Sequence, residues 1–368
     1  MGLEAMPGAR CGVDEAPLYV VRLTNEGEEE VENGELVSDA IVRRLQQRAA
    51  PITDVILLTH GFGHTLDSGA VACRTWVQRM ATCEGEVAAL RVARGGAPFR
   101  PLVVALCWPS NPTAPPGWRE VSSFLVDWTV GLPHRLADAV RPKLSWYMAF
   151  MRFEPRARRI GGRVGRQLLR RFKAAATTRM AAGGDGGGGG GDTRVRYHAF
   201  GHSLGVQLIC SLLQPTNAEA HAATSGGGAD DTAADTLDTL VLVQGAAHSS
   251  CFGVGGPFAA VPARVGGVLL VTYNVTDVVL VAYAQTFGAD AGLPMGTVGA
   301  HPPRGAGQWC EMGGEGVAYG WAPGLVNVDA GPHIRSRGAA STGDLLSAHS
   351  DFMSPAVMHA FWAAMRVA

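Results

Sequence analysis

Residues 194–213 have the sequence RVRYHAFGHSLGVQLICSLL, and this stretch carries the strongest fold signal in the chain. The alternating polarity of Arg194–Phe200 predicts a β-strand, and the apolar spacing of Leu204–Leu213 predicts a helix. Between them lies GHSLG, a G-x-S-x-G pattern centred on Ser203. The two glycines let neighbouring backbone approach a tight strand-to-helix turn. The pattern therefore predicts that the Ser203 hydroxyl stands at the edge of a sheet.

Short apolar runs recur along the chain and predict further strands. They lie at residues 16–23, 54–59, 102–107, 237–244, 268–273 and 325–328. Helical spacing at Cys73–Met80 and Pro355–Met365 predicts further helices. The alternation predicts a three-layer α/β fold with a mostly parallel central sheet and helices on both faces. Ligands in such folds bind at the carboxyl ends of the strands, so motifs that directly follow strands matter most.

Composition narrows the classes of function and location. The chain has 368 residues, 47% of them hydrophobic, and a formal net charge of −1, so no nucleic-acid partner is expected. The most apolar long stretch, Val265–Tyr283, is broken by Asn274 and Asp277, so we expect no integral membrane segment. The seven cysteines are scattered without a CxxC pair, which favours a reducing, cytoplasmic location.

Residues 16–368 are expected to form one domain with this α/β fold, preceded by an N-terminal tail at 1–15. Residues 111–180 form a long, aromatic-rich connection that is either a cap or ordinary helical packing. Within it, Arg152–Arg179 predicts an amphipathic basic helix with a solvated face, a membrane or partner surface being the alternative. Glycine-rich and alanine-rich stretches at 181–192 and 220–234 predict flexible surface loops.

The motif THGFG follows the predicted strand at 54–59 and suits an oxyanion-binding loop. We predict the N–H groups of Phe62 and Leu204 as the oxyanion donors. We also predict substrate contacts at His60, Gly61 and His202. A metal site is the alternative, because His60 and His64, and likewise His198 and His202, are four residues apart. Neither pair has the intervening glutamate of a zinc-hydrolase helix, so neither a metal nor another cofactor is expected.

A nucleophilic serine needs a histidine base and an orienting carboxylate, which follow it in this chain order. Asp277 lies just past the strand at 268–273 and is the predicted acid, with helix capping as the alternative role. Asp329, after the strand at 325–328, is its rival. His349 immediately precedes the C-terminal helix and is the predicted base, with His333 as its rival. His301 and His359 suit the role less well, because one lies in an early loop and the other within the last helix.

Six motifs together resemble the α/β-hydrolase superfamily. They are THGFG at 59–63, WPS at 108–110, FGHSLG at 200–205, LVQGA at 242–246, NVTD at 274–277 and HSDF at 349–352. More narrowly, they are similar to a group of microbial hydrolase-like proteins with the WPS and LVQGA signatures. The resemblance covers residues 16–366 and implies the fold and a Ser203, Asp277 and His349 triad. It implies no particular substrate.

The sequence thus predicts a serine hydrolase that cleaves a carboxylic ester, or a related acyl bond, of a small molecule through an acyl-enzyme intermediate. The alternative is a non-catalytic protein of the same fold that binds a ligand or a partner. The acyl chain length and the oligomeric state stay open.

Overall fold

The computed structural model describes residues 16–111, 152–181, 194–215, 235–287, 292–301, 307–334 and 349–368. The predicted tail at 1–15 lies outside these residues. Most of the predicted cap, at 112–151, also lies outside them, as do the predicted loops at 181–192 and 220–234 except for Ala181, which ends a helix.

The described residues contain an eight-stranded sheet and a two-stranded hairpin. In chain order the strands are β1 (Leu18–Arg22), β2 (Val31–Glu32), β3 (Glu35–Leu36), β4 (Asp54–Thr59), β5 (Pro101–Cys107), β6 (Arg196–His202), β7 (Thr239–Val243), β8 (Val268–Tyr273), β9 (Gln308–Glu311) and β10 (Gly324–Asp329). The large sheet has the order β1-β5-β4-β6-β7-β8-β10-β9, and all its neighbouring strands are parallel. Because β6 lies between β4 and β7, the loops that follow these three strands meet at one edge.

Helices fill the connections between the strands. They are α1 (Val37–Gln46), α2 (Leu66–Ala81), α3 (Glu84–Ala93), α4 (Arg166–Ala181), α5 (Gly205–Leu212), α6 (Val278–Phe287), α7 (Met295–Val298) and α8 (Pro355–Arg366). Residues 152–160 are also helical and lead into α4 through a π-helical turn at Gly161–Gly165. Within the described segments, no helix combines the length and the apolarity needed to cross a bilayer.

The central strands are apolar on both faces, and their alternating side chains divide the core into two clusters. On β4, Val55 and Leu57 belong to one cluster, whereas Ile56 and Leu58 belong to the other. The first cluster packs against α1, α4 and α5, and the second against α2, α3 and α8. The sheet is therefore covered by helices on both faces, which confirms the predicted three-layer α/β fold.

The predicted basic helix is present. The prediction that its basic side chains face solvent is wrong for several arginines. Arg156 and Arg166 are buried. Arg170 forms a paired contact with Asp235, with nitrogen–oxygen distances of 2.6 and 2.7 Å. These arginines therefore contact other segments of the same protein and attach the helix to them.

Candidate active site

Ser203 occupies the turn between β6 and α5 in a backbone conformation that is uncommon for a residue with a side chain. Its φ is 53°, in the left-handed region. Its N–H donates to the Val243 carbonyl over 3.1 Å, and its own carbonyl accepts from the N–H groups of Val206 and Ala246, each over 3.1 Å. Contacts to the end of β7 and the start of α5 therefore hold the strained turn in place.

Gly205 allows α5 to begin against the end of β4. A β-carbon at this position would lie 2.6 Å from the His60 carbonyl oxygen and 2.9 Å from that of Thr59. A larger residue would push the helix away from the sheet. The small residue two positions after the serine is therefore a steric requirement of this turn.

His349 connects Ser203 to Asp277 through both ring nitrogens. Its Nε2 lies 2.9 Å from Ser203 Oγ, and its Nδ1 lies 2.7 Å from Asp277 Oδ2. An ionised carboxylate only accepts hydrogen bonds, so the ring proton is on Nδ1. The Nε2 lone pair then faces the serine hydroxyl. This is the arrangement in which a histidine takes a proton from serine.

The buried Asp277 carboxylate divides its two oxygens between two tasks. Oδ1 accepts from the N–H groups of Val279 and Leu280, each over 3.1 Å, and so caps the first turn of α6. Oδ2 accepts from His349 and, over 3.1 Å, from the side-chain amide of Gln244. The helix cap and the contact with histidine therefore occur together.

The rival acid and base lie elsewhere. Asp329 Oδ1 accepts from the Gly331 N–H over 2.8 Å, and the His333 ring lies beside Gly314. The other two histidines are also used elsewhere: His301 packs near Trp309, and the His359 ring contacts Glu86 and the Val317 carbonyl. Among the described residues, His349 is the histidine that contacts Ser203.

The loop that contains Phe62 is held by a buried serine from the WPS segment. Ser110 Oγ donates to the Gly61 carbonyl over 2.8 Å and accepts from the His64 N–H over 3.0 Å. Ser110 N–H donates to the His64 carbonyl over 2.9 Å, and its carbonyl accepts from Gly63 N–H over 3.0 Å. These four bonds fix the main chain on both sides of Phe62.

His60 supports the same loop from beneath. Its buried ring lies parallel to that of Trp108, and its Nε2 accepts from the Trp108 N–H over 3.2 Å. The ring proton is therefore on Nδ1, which donates to the Gly61 carbonyl over 2.9 Å. Both ring nitrogens bind protein groups, so substrate contact at His60 stays a prediction.

Gly61 brings this loop directly against the serine. A β-carbon on Gly61 would lie 2.7 Å from Ser203 Cβ and 3.2 Å from His202 Nδ1. Phe62 is thus next to the residue that touches the nucleophile, and Leu204 follows the nucleophile at the start of α5. N–H groups in a first helical turn have no acceptor within the helix. This placement suits oxyanion donation by both residues, and that role and substrate contact at Gly61 stay predictions.

His202 lies beneath His349, with 7% of its surface exposed. Its Nε2 lies 2.9 Å from the His349 carbonyl oxygen. Burial, reinforced by the neighbouring His349, keeps the pKa of His202 well below 6.5. The ring is therefore neutral and contacts the main chain of His349, and substrate contact at His202 stays a prediction.

Three supporting contacts were not predicted from the sequence: those of Ser110, Gln244 and His202. Ser110 and Gln244 lie in the WPS and LVQGA motifs, which marked the positions without indicating partners. The side chain of Gln244 reaches Asp277 from a residue with φ 45°, also in the left-handed region. A non-glycine residue with such a φ is visible only in the structure.

No group of three or more His, Cys, Asp or Glu side chains within the described segments is placed to hold a metal ion. No protein-family model, curated protein or solved structure matches this chain. A function must therefore be argued from the geometry of the site.

Proposed function

We propose that this chain is a serine hydrolase of the α/β-hydrolase superfamily, which cleaves a carboxylic ester or a related acyl bond. One observation carries the proposal: Ser203 Oγ, the His349 ring and the Asp277 carboxylate form a continuous hydrogen-bonded chain, with distances of 2.9 and 2.7 Å. This series of hydrogen bonds ends at Ser203, which lies on a strained strand-to-helix turn. A serine hydroxyl is a weak nucleophile and reacts readily only when an adjacent base removes its proton.

In the first half of the reaction, Ser203 Oγ attacks the carbonyl carbon of the substrate while its proton passes to His349 Nε2. Asp277 stabilises the imidazolium that forms and keeps the ring oriented. The bond to the leaving alcohol then breaks, and His349 gives the alcohol its proton. The acyl group is left as an ester on Ser203.

In the second half, water attacks the acyl-enzyme and His349 Nε2 takes one of its protons. The bond between the acyl carbon and Ser203 Oγ breaks, and the proton returns to the serine. The products are a carboxylic acid and an alcohol. His349 mediates each proton transfer, so the scheme needs no cofactor.

Each tetrahedral intermediate carries a negative oxygen, for which we propose the N–H groups of Phe62 and Leu204 as donors. Such donors act strongly because they are already oriented and little water competes with them. Loss of one typically costs about 100- to 1,000-fold in rate. The four hydrogen bonds around Ser110 support this assignment, since they hold the Phe62 segment rigid.

We further propose a small-molecule substrate and a cytoplasmic location. The near-neutral net charge offers no attraction for nucleic acid. Six cysteines in the described segments are thiols rather than disulfides, which suits a reducing compartment.

The test is covalent labelling by a fluorophosphonate probe, together with hydrolysis of p-nitrophenyl esters of increasing chain length. We expect the wild-type chain to be labelled and Ser203→Ala to lose both labelling and hydrolysis. Ser250→Ala is the matched control, because Ser250 Oγ also contacts a histidine, lying 2.5 Å from His248 Nδ1. This control should retain wild-type labelling and activity.

Two results would reject the proposal. Unchanged labelling of a folded Ser203→Ala variant would show that another residue is the nucleophile. A folded wild-type chain that is never labelled and hydrolyses none of the esters would instead favour a non-catalytic, ligand-binding protein. Thermal unfolding followed by circular dichroism establishes that each variant is folded.

A further inference from the structure

His202 is the residue directly before the proposed nucleophile, yet its side chain points away from solvent. Its Nε2 lies 2.9 Å from the main-chain oxygen of His349. A carbonyl oxygen only accepts hydrogen bonds, so His202 Nε2 carries the proton. The residue therefore donates to the main chain of the proposed base rather than to its ring.

The protonation state of His202 supports this geometry. Its burial and the nearby rings of His349, His64 and His60 keep its pKa well below 6.5. The ring is accordingly a neutral imidazole with one proton, and the contact with His349 places that proton on Nε2. A neutral ring also adds no charge beside His349, which must become an imidazolium during the reaction.

Aromatic contacts fix the ring in this orientation. His202 stacks on Phe352 with a centroid distance of 3.8 Å and an interplanar angle of 25°. Trp76 meets His202 edge-on at 6.5 Å and meets Phe352 edge-on at 4.9 Å. Phe352 lies three residues after His349, so the stack and the hydrogen bond both attach the His349 segment to the turn that carries Ser203.

This attachment adds a second contact to the main chain of His349, where residues 349–350 are helical and a turn at 351–354 leads into α8. The next helix, α8, begins at Pro355, six residues further on. The His349 ring can contact both Ser203 and Asp277 only if the main chain of His349 is correctly positioned. A misplacement of about 1 Å in a catalytic group can cost roughly 100-fold in rate.

We propose that His202 is a positioning residue, whose Nε2–H holds the main chain of His349 so that the His349 ring reaches both Ser203 and Asp277. This inference rests on the proposed hydrolase function. It assigns His202 to the alignment of the base rather than to contact with substrate.

The experiment compares His202→Gln with His202→Leu. A glutamine amide N–H can replace the imidazole Nε2–H, whereas leucine keeps an apolar contact with Phe352 but has no donor. Hydrolysis of p-nitrophenyl butyrate is measured, and kcat is expressed per active site titrated with the fluorophosphonate. We expect kcat of His202→Leu to fall about 10- to 100-fold with KM within about twofold. For His202→Gln we expect kcat within about threefold of wild type.

A wild-type kcat in folded His202→Leu would overturn the inference. So would an equal loss of kcat in both variants, because restoring the donor should restore the rate. A change in stability alone would alter the titrated fraction and leave kcat per active site unchanged. If the wild-type chain itself is not labelled at Ser203, the hydrolase proposal fails instead.

A measurement on the wild-type chain keeps the inference testable if His202→Leu does not fold. In ¹⁵N-histidine NMR spectra, His202 should be neutral and carry its proton on Nε2 from pH 6 to 8. A proton on Nδ1, or a doubly protonated ring in this range, would contradict the proposed hydrogen bond.

Discussion

A β-carbon on Gly61 would lie only 2.7 Å from the β-carbon of Ser203. The loop after β4 therefore touches the proposed nucleophile at a position where only glycine fits without displacement. Substitution of Gly61 by alanine should move the loop, because the nearest atoms belong to Ser203 and His202 rather than to the far end of a flexible side chain. We expect kcat for p-nitrophenyl butyrate to fall about 100-fold or more, since the predicted oxyanion donor at Phe62 moves with the loop.

Gly85→Ala is the control for Gly61→Ala. Gly85 lies on the exposed side of α3, and a β-carbon there would meet nothing within 4 Å. This variant should keep wild-type kcat and be slightly more stable, because alanine favours the helix. Wild-type activity in Gly61→Ala would show that the loop does not need to touch the serine.

Two variants distinguish the two roles of Asp277, which caps α6 and accepts a hydrogen bond from His349. Asp277→Asn keeps an oxygen that can cap α6 but cannot accept from His349 as a carboxylate does. Asp277→Ala loses both functions. Because the carboxylate sets the tautomer of His349, kcat should fall roughly 10⁴-fold in Asp277→Asn and by at least as much in Asp277→Ala. Only Asp277→Ala should also lose the cap, which is worth about 0.5–2 kcal/mol of unfolding free energy.

Ester hydrolysis and urea unfolding measure these two effects separately. Full activity in Asp277→Asn would mean that the aspartate only caps the helix. Equal unfolding free energies for the two variants would mean instead that Oδ1 contributes nothing to the start of α6.

Much of the sheet was predictable because buried parallel strands have a simple sequence pattern. The bounds of β4 and β8 match the predicted strands at 54–59 and 268–273, and the other predicted strands are within two residues of the observed ones. Strand β9 was missed, because it lies at an edge and alternates between exposed and partly buried side chains, including a half-exposed Trp309. Helix α1 was also missed, although Val37, Ile41 and Leu45 recur at a helical spacing of four.

The members of the site were predictable to different degrees. Ser203 has a local motif, and the order of serine, acid and base along the chain pointed to Asp277 and His349. The supporting contacts had no local signal. Ser110 meets Gly61 across 49 residues of sequence, and the His202 ring meets the His349 main chain across 147. Such contacts depend on where the ends of parallel strands converge, which single-sequence patterns do not specify.

A Gln244 variant tests the hydrogen bond that Gln244 donates to Asp277. Its amide donates to Asp277 Oδ2 over 3.1 Å from a fully buried position. Gln244→Met keeps the length of the side chain and removes the donor. A hydrogen bond to a charged group contributes about 1.5–3 kcal/mol, so the unfolding free energy should fall by about that amount. We also expect kcat to fall about tenfold, because the Asp277 carboxylate loses one of the contacts that hold it toward His349. Unchanged kcat and unchanged stability in Gln244→Met would show that this contact is dispensable.

The stability of the folded chain should depend on pH through His64, whose pKa burial and the nearby His60 lower to about 4 from its ordinary 6.5. Between pH 6.5 and 4 the unfolded chain binds this proton and the folded chain does not, so stability falls as the pH falls. His64→Gln removes this contribution and leaves that of His202, which has the same sign. Urea unfolding at pH 7 and pH 5 should show the wild-type chain losing up to about 2 kcal/mol more than His64→Gln. Equal losses in the two chains would mean that the folded protein protonates His64 as readily as the unfolded chain does.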